Sequence, residues 1–163
     1  MNAPVLAHDD LVAALARERA AGRTIAFANG IFDLLHVGHL RYLQGAAAVA
    51  DVLVVAVNSD RSARELKGEG RPVVPQDERA ELVSALRGVA YVTIFEGRSP
   101  APLIETLRPD FHCKGTDYTP ENVPEGEIVR SYGGRVVTVG DPKEHSSTEL
   151  IKRTQNAERR TKK

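Results

Sequence analysis

Apolar and polar positions alternate along this chain at two different periods, and the switches between them outline its elements. Residues 9–21, DDLVAALARERAA, carry apolar side chains at helical spacing, which predicts an amphipathic helix capped by an aspartate and closed by Gly22. TIAFANG then reads as a buried strand, and GHLRYLQGAAAVA returns to a helix with one apolar face. DVLVVAVNS is almost continuously apolar, the pattern of a parallel strand covered on both faces. Residues 60–75 are polar and rich in Gly and Pro, and read as a loop. After them the alternation resumes: helix QDERAELVSALRG, strand YVTIFEG, helix SPAPLIETLRP, strand DFHCKG, a Pro-rich loop, helix EGEIVRSYG, strand RVVTVG and helix SSTELIKRT.

Strand and helix therefore alternate five times, which predicts one α/β domain of Rossmann-like type: a five-stranded parallel sheet flanked by helices on both faces, with right-handed crossovers. Residues 1–22 form an N-terminal helix, 23–155 the main domain, and 156–163, NAERRTKK, a polar tail. There is no repeat of fixed period. On such sheets ligands bind beyond the carboxyl ends of the strands, where the strand order reverses. Most polar residues of interest sit at strand ends.

Composition narrows the classes. Lys plus Arg equals Asp plus Glu at 22 each, so no net field advertises nucleic acid or an acidic membrane as a partner. The single cysteine, Cys113, cannot form an internal disulfide, which fits a reducing cytosol. The N-terminus lacks a basic-then-apolar leader and no apolar stretch approaches ~18 residues, so a cytoplasmic protein without a membrane span is expected.

The segment NGIFDLLHVGH places His36 and His39 about one helical turn apart around Gly38, where a strand hands over to a helix. A helix start offers free N–H groups and the positive end of a dipole, so an anion can approach closely, and two imidazoles beside it could donate to a phosphate. The plainer reading is a capped helix with two incidental histidines. A zinc site is disfavoured, because the zincin pattern needs histidines at i and i+4 with a glutamate between them. In VNSDRSARELKGEGRP, Asn58 and Asp60 end a strand, and Lys67 lies in a Gly-flanked stretch that looks mobile. Arg79 lies in the first turn of the next helix, where it would most often be a surface residue. Lys114, Gly115 and Asp117 again end a strand. Ser146, Ser147 and Thr148 precede an apolar-periodic helix, as an N-cap or as a phosphate cradle. There is neither a Walker A sequence nor a GxGxxG fingerprint, so phosphates would bind without those loops, and a redox dinucleotide domain is disfavoured.

FANGIFDLLHVGH together with HSSTELI resembles the cytidylyltransferase-like branch of the HxGH nucleotidyltransferases, over residues of about 24 to 153. HxGH alone is weak, but HVGH, VNSD, LKGEGRP, DERAELVSAL, KGTDYT and SST in this order are specific. Within the branch, KGTDYT followed by EIVRSYGGRV is most similar to bacterial D-glycero-β-D-manno-heptose 1-phosphate adenylyltransferases. Glycerol-3-phosphate cytidylyltransferases tend to carry a Trp-containing segment there and an Arg-Thr-Glu-Gly lead into the hydroxyl run, whereas this chain has no Trp and has KEHSST. In many bacteria the heptose enzyme is fused to a sugar kinase, and the resemblance here is to the stand-alone form.

The resemblance implies adenylyl transfer from ATP to heptose 1-phosphate, with Mg²⁺ carried by the nucleotide rather than by a protein metal site. It implies that His36 and His39 contact the ATP phosphates and the transition state, and that Lys67 reaches the phosphates. Asn29, Gly30, Phe32, Asp33 and Gly38 would line the nucleotide side of the first strand–helix turn. Lys114, Gly115, Asp117 and Tyr118 would hold the base and ribose, and Ser146, Ser147 and Thr148 the β- and γ-phosphates. Asn58, Asp60 and Arg79 would serve the substrate side, Arg79 by binding phosphate or supporting that site. A homo-oligomer is implied as well. Two positions depart from the pattern: Ile31, where a cysteine is common, and His145, where a small or apolar residue is expected. The competing readings are a cytidylyltransferase for an alcohol phosphate and a non-catalytic nucleotide-binding domain on the same scaffold.

Overall fold

The computed structural model describes residues 1–142 and 144–161. The five apolar runs form strands β1 (Ile25–Gly30), β2 (Val52–Asn58), β3 (Tyr91–Phe95), β4 (Phe111–Gly115) and β5 (Arg135–Val139). They make one parallel sheet in the order β3-β2-β1-β4-β5. The chain moves outward from β1 through β2 to β3, then returns to the other side of β1. The reversal lies between β1 and β4, and a cleft opens beyond their carboxyl ends.

Helices α1 (His8–Ala20), α5 (Ala101–Leu107) and α6 (Gly126–Ser131) cover one face, and α2 (Val37–Ala47) and α4 (Gln76–Ser84) the other. The two-residue period of a strand sorts the side chains. Ile25, Phe27, Val52 and Val54 pack with Leu11, Leu15, Ile104 and Leu107. Their neighbours Ala26, Ala28, Leu53 and Val55 pack with Leu43, Ala46, Ala80 and Val83. All seven positions of β2 are buried, which accounts for its unbroken apolar run. At roughly 1.5–3 kcal/mol for each large apolar side chain removed from water, these two layers supply the main favourable term in folding.

Four features differ from the sequence reading. The N-cap of α1 is Ala7 and makes no side-chain cap bond; Asp9 and Asp10 instead lie in the first turn, where the helix dipole favours them. Residues before α1 form a short strap on the sheet edge: Leu6 N–H donates to Val92 O (2.8 Å) and Val92 N–H to Pro4 O (3.0 Å). That strap blunts the open side of β3, and since Leu11 and Leu15 belong to the core, residues 1–22 are integral to the fold. The polar stretch after β2 contains α3 (Asp60–Lys67), capped by the Ser59 hydroxyl, which accepts from Ser62 N–H at 3.1 Å. Finally, α7 (Ser147–Thr161) continues six residues past position 155, into the stretch read as a polar tail, none of its residues buried. Lys162 and Lys163, the end of that tail, lie outside the described residues. Among the described residues no helix is long and apolar enough to cross a membrane.

Arg79 is the largest departure, because it is fully buried rather than on the surface or in contact with the cleft. Its Nε donates to Val74 O (2.9 Å), Nη1 to Ile31 O, and Nη2 to Asn58 O (2.9 Å) and Asp60 Oδ1 (2.9 Å). A guanidinium survives out of water only when its donors are matched in this way. Asp60 is occupied by that pairing and does not line the cleft. Replacing Arg79 with Met keeps the length but strands three backbone carbonyls, so a loss of about 3 kcal/mol or more is expected in urea denaturation. A midpoint equal to that of the wild type would contradict this role.

Candidate active site

The cleft is built first by the turn between β1 and α2. Phe32 (φ 53°) and Leu34 (φ 48°) are non-glycine residues in the left-handed region, a conformation costing of order 1–3 kcal/mol each unless the surroundings fix it. They do. Asp33, between them, is almost completely buried, and its carboxylate accepts from Val73 N–H (2.9 Å), Val74 N–H (3.0 Å) and Arg71 Nε (2.9 Å). Burial alone would push its pKa up; the two backbone donors and the Arg71 cation outweigh it and hold the pKa below the usual carboxylate value. The Ser147 hydroxyl donates to Asp33 O, and Arg79 grips Ile31 O. A Cβ at Gly30 would stand 3.1 Å from the Phe32 ring, tighter than ordinary packing, so the glycine lets the ring close over the turn without shifting. That ring meets His39 edge-on at 5.5 Å and stacks on Tyr42 at 6.4 Å.

The histidine pair follows. His36 is the N-cap of α2, and its Nδ1 accepts from Gly38 N–H at 3.1 Å. His39 Nδ1 accepts in turn from His36 N–H at 3.4 Å. The rings stack with centroids 3.8 Å apart and 24° between planes. A Cβ on Gly38 would lie 3.0 Å from the His36 ring, so the glycine is what lets the imidazole fold back over the helix start. Because both Nδ1 atoms accept a hydrogen bond, the neutral rings carry their protons on Nε2 and are donors there. Burial, then the neighbouring His145, lowers the pKa of His36. Burial, then His36, lowers that of His39 to about 4 against a smaller opposing pull from Asp33.

The remaining walls come from strand ends and helix starts. The cleft encloses about 490 Å³. Asn29, Gly30, Phe32, Asp33, His36, Gly38 and His39 line it from β1 and its turn, and Asn58 from β2. Asn58 donates to Ser62 Oγ (3.2 Å) and Gly97 O (3.4 Å). Lys67 lines it as the exposed last residue of α3, not from a loop. From β4 and the following loop come Lys114, Gly115, Asp117 and Tyr118, with the Lys114 ammonium 4.8 Å from the centre of the Tyr118 ring. Ser146, Ser147 and Thr148 lie at the start of α7. Their hydroxyls already have work: Ser146 Oγ accepts from Glu149 N–H (3.1 Å), Ser147 binds the first turn, and Thr148 Oγ1 accepts from Arg71 Nη1 (3.4 Å). His145 stands beside them, its ring 6.2 Å from that of His36.

Sequence reasoning missed Arg71, Arg98, Tyr42 and Glu125, which also line the cleft. Arg98 follows β3, so the rule that sites form beyond strand ends could have found it. Arg71 has no such signal, because its partner Asp33 is 38 positions away. His112 lies beneath the cleft, fully buried, with its pKa pushed down to about 3 by burial and then by Lys114. Its Nε2 is 3.3 Å from Asn29 Oδ1, which fixes the amide orientation of Asn29. Among the described residues no cluster of three His, Cys, Asp or Glu side chains suits a metal ion.

Neutral imidazole donors, arginines, lysines and a helix start converging on a switch point define a site for transferring a nucleotide phosphoryl group. The comparisons agree. Residues 27–154 match the family model described as Cytidylyltransferase-like, so the chain belongs to the cytidylyltransferase-like family of nucleotidyltransferases. It is 50% identical over 143 residues to the bifunctional protein HldE of Geobacter metallireducens, covering 88% of this chain and 29% of that one. It is 46% identical over 163 residues to HldE of Pelobacter propionicus, covering 94% and 33%. The chain thus spans about a third of the length of the curated relatives it matches. Among solved structures, it is similar to the lipopolysaccharide core biosynthesis protein of Thermoplasma volcanium, with a TM-score of 0.63 and 26% identity over 75% of this chain and 100% of the other.

The pKa shifts fix a sign for acid stability. The unfolded chain protonates His39 near 6.5 and the folded protein only near 4, so stability falls as pH drops through that window. Asp33 acts in the same direction at lower pH, since its folded pKa is below 3.8. Urea midpoints measured from pH 7 to pH 4 should fall, and His39→Gln should flatten part of the slope. An unchanged slope in the variant would assign the acid loss to other groups.

Proposed function

We propose that this domain transfers the adenylyl group of ATP to D-glycero-D-manno-heptose 1-phosphate, giving ADP-heptose and pyrophosphate. The observation that carries the reading is the His36–His39 pair, two neutral imidazoles with Nδ1 tied to backbone N–H groups and Nε2 left to donate into one cleft. The HldE relatives and the similar lipopolysaccharide core biosynthesis protein of Thermoplasma volcanium support the choice of sugar phosphate.

A phosphate oxygen of the sugar 1-phosphate attacks the α-phosphorus, the α–β P–O bond breaks, and pyrophosphate leaves. The nucleophile is already an anion, so no general base is needed. Catalysis then consists of holding two polyanions in line and stabilising charge at the α-phosphorus and the leaving group. His36 and His39 donate from Nε2 to the oxygens that gain charge, and Lys67 and Arg71 add positive charge. The α7 start with Ser146, Ser147 and Thr148 cradles the β- and γ-phosphates through backbone N–H groups. Lys114, Gly115, Asp117 and Tyr118 hold the nucleoside, with Asn29 and Gly30 beneath it. Asn58 faces the acceptor, and Arg79 with Asp60 supports that wall from behind. Asp33 is saturated by three donors, so a divalent cation, Mg²⁺ in this reading, would enter as the metal–ATP substrate and shield the triphosphate. A cytoplasmic location is read from composition, and self-association from the resemblance alone.

The test is pyrophosphate release with ATP, CTP and GTP crossed against heptose 1-phosphate anomers and glycerol 3-phosphate. ATP with a heptose 1-phosphate should be the best pair; CTP with glycerol 3-phosphate as the best pair would replace this reading by the cytidylyltransferase one. His39→Ala should lower turnover by ~100-fold or more, the usual loss for one preorganised donor. Lys67→Ala should lower turnover and leave the melting temperature unchanged, since Lys67 is exposed and outside the core.

A further inference from the structure

Glu125 is the buried charged group of the cleft that the proposed reaction leaves unused. It directly precedes α6 yet makes no cap bond to that helix. Only 4% of it is exposed. Its Oε1 accepts from the Ser99 hydroxyl at 3.0 Å, while Oε2 is buried without a hydrogen-bond partner among the described residues. The nearest cation to Oε2 is the Lys114 ammonium at 4.0 Å, itself largely buried. An unmatched carboxylate oxygen out of water is costly unless a charge nearby compensates it. Here the separation is about an ångström longer than a charge-assisted hydrogen bond, so the carboxylate attracts the ammonium without locking it.

We infer that Glu125, anchored by Ser99, is a positioning residue that keeps Lys114 a charged donor on the wall of the cleft that holds the nucleotide. Three elements meet at this point. Lys114 ends β4, Glu125 opens α6, and Ser99 belongs to the loop after β3. Lys114 also faces the Tyr118 ring, Asp117 on the following loop, and His112 within its own strand, which burial keeps neutral. Burial drives Lys114 toward its neutral form, and Glu125 first, then Asp117, oppose that. Glu125 is the buried one of the two acids, where charge interactions are screened least.

The inference rests on the adenylyltransferase reading only for the identity of the substrate, and two measurements separate the two. The titration of Lys114 is followed by NMR of lysines labelled at the ε-carbon, assigned with Lys114→Arg, in the wild type and in Glu125→Gln, which keeps the shape and removes the charge. The Lys114 midpoint should fall by about one to two pH units in Glu125→Gln, and Glu125→Asp should restore part of it. Ser99→Ala, which only frees the anchor, gives a smaller fall. The alkaline limb of the pyrophosphate-release profile should move down with it, with activity retained on the acid side. On a Lys114→Ala background, Glu125→Gln should cost little further activity. An unmoved midpoint in folded Glu125→Gln, or activity lost equally at every pH, overturns the inference. A shifted midpoint with no turnover on any heptose 1-phosphate leaves the positioning intact and rejects the substrate reading instead.

Discussion

A buried guanidinium holds this site together. Arg79 donates to the first turn after β1, to the end of β2, to the start of α3 and to the residues leading into α4. Those are the pieces that must be brought into register for a cleft to exist beyond the strand ends. Asp33 does the complementary task with a buried negative charge, gathering Arg71 and two backbone N–H groups from residues far along the chain. A cation and an anion, each saturated by donors or acceptors of the opposite kind, thus clamp the same turn from two sides. The left-handed Phe32 and Leu34 are tolerable because of that clamp.

With the turn fixed, the electrostatic character of the cleft follows. His36 and His39 are neutral, so they contribute directed donors rather than standing charge. Positive charge comes from lysines and arginines arranged around them and from the start of α7. Such a distribution suits phosphate groups and a reaction in which charge moves between them rather than onto the protein; among the described residues no cluster of His, Cys, Asp or Glu suits a metal ion. The cytidylyltransferase-like match over residues 27–154 runs from within β1 to the first half of α7 and leaves out the N-terminal strap and α1.

How much of this the sequence discloses depends on the distance over which each feature is determined. The five strands are legible because burial on both faces writes an unbroken apolar run. The pairing of His36 and His39 is legible as spacing, and so is the cluster of polar residues at strand ends. Helix α3 is not, because only Ala63 and Leu66 of its eight residues are apolar; their spacing of three and the Ser59 cap were signals too short to outweigh the polar composition. Arg79 reads as a surface residue, and Asp60 as a strand-end group facing a ligand, because nothing local marks their pairing; the partners of Arg79 lie up to 48 positions away. Glu125 and Arg71 were hidden for the same reason. The strap before α1 escapes because its pairing is with a sheet edge more than 80 residues distant.

The ring atoms that close the α2 start are also the atoms that fix which way its two donors point. A proton arriving on Nδ1 of His36 or His39 would evict a backbone N–H and undo a helix cap in the same event. Charge state, local order and donor direction are therefore one variable at this turn rather than three. Val37 lies outside that coupling, half turned to solvent at 37% exposure, whereas Gly38 lies at its centre. The tetrapeptide HVGH is thus one hydrogen-bonded unit, in which Val37 is the position whose side chain takes no part in the bonding.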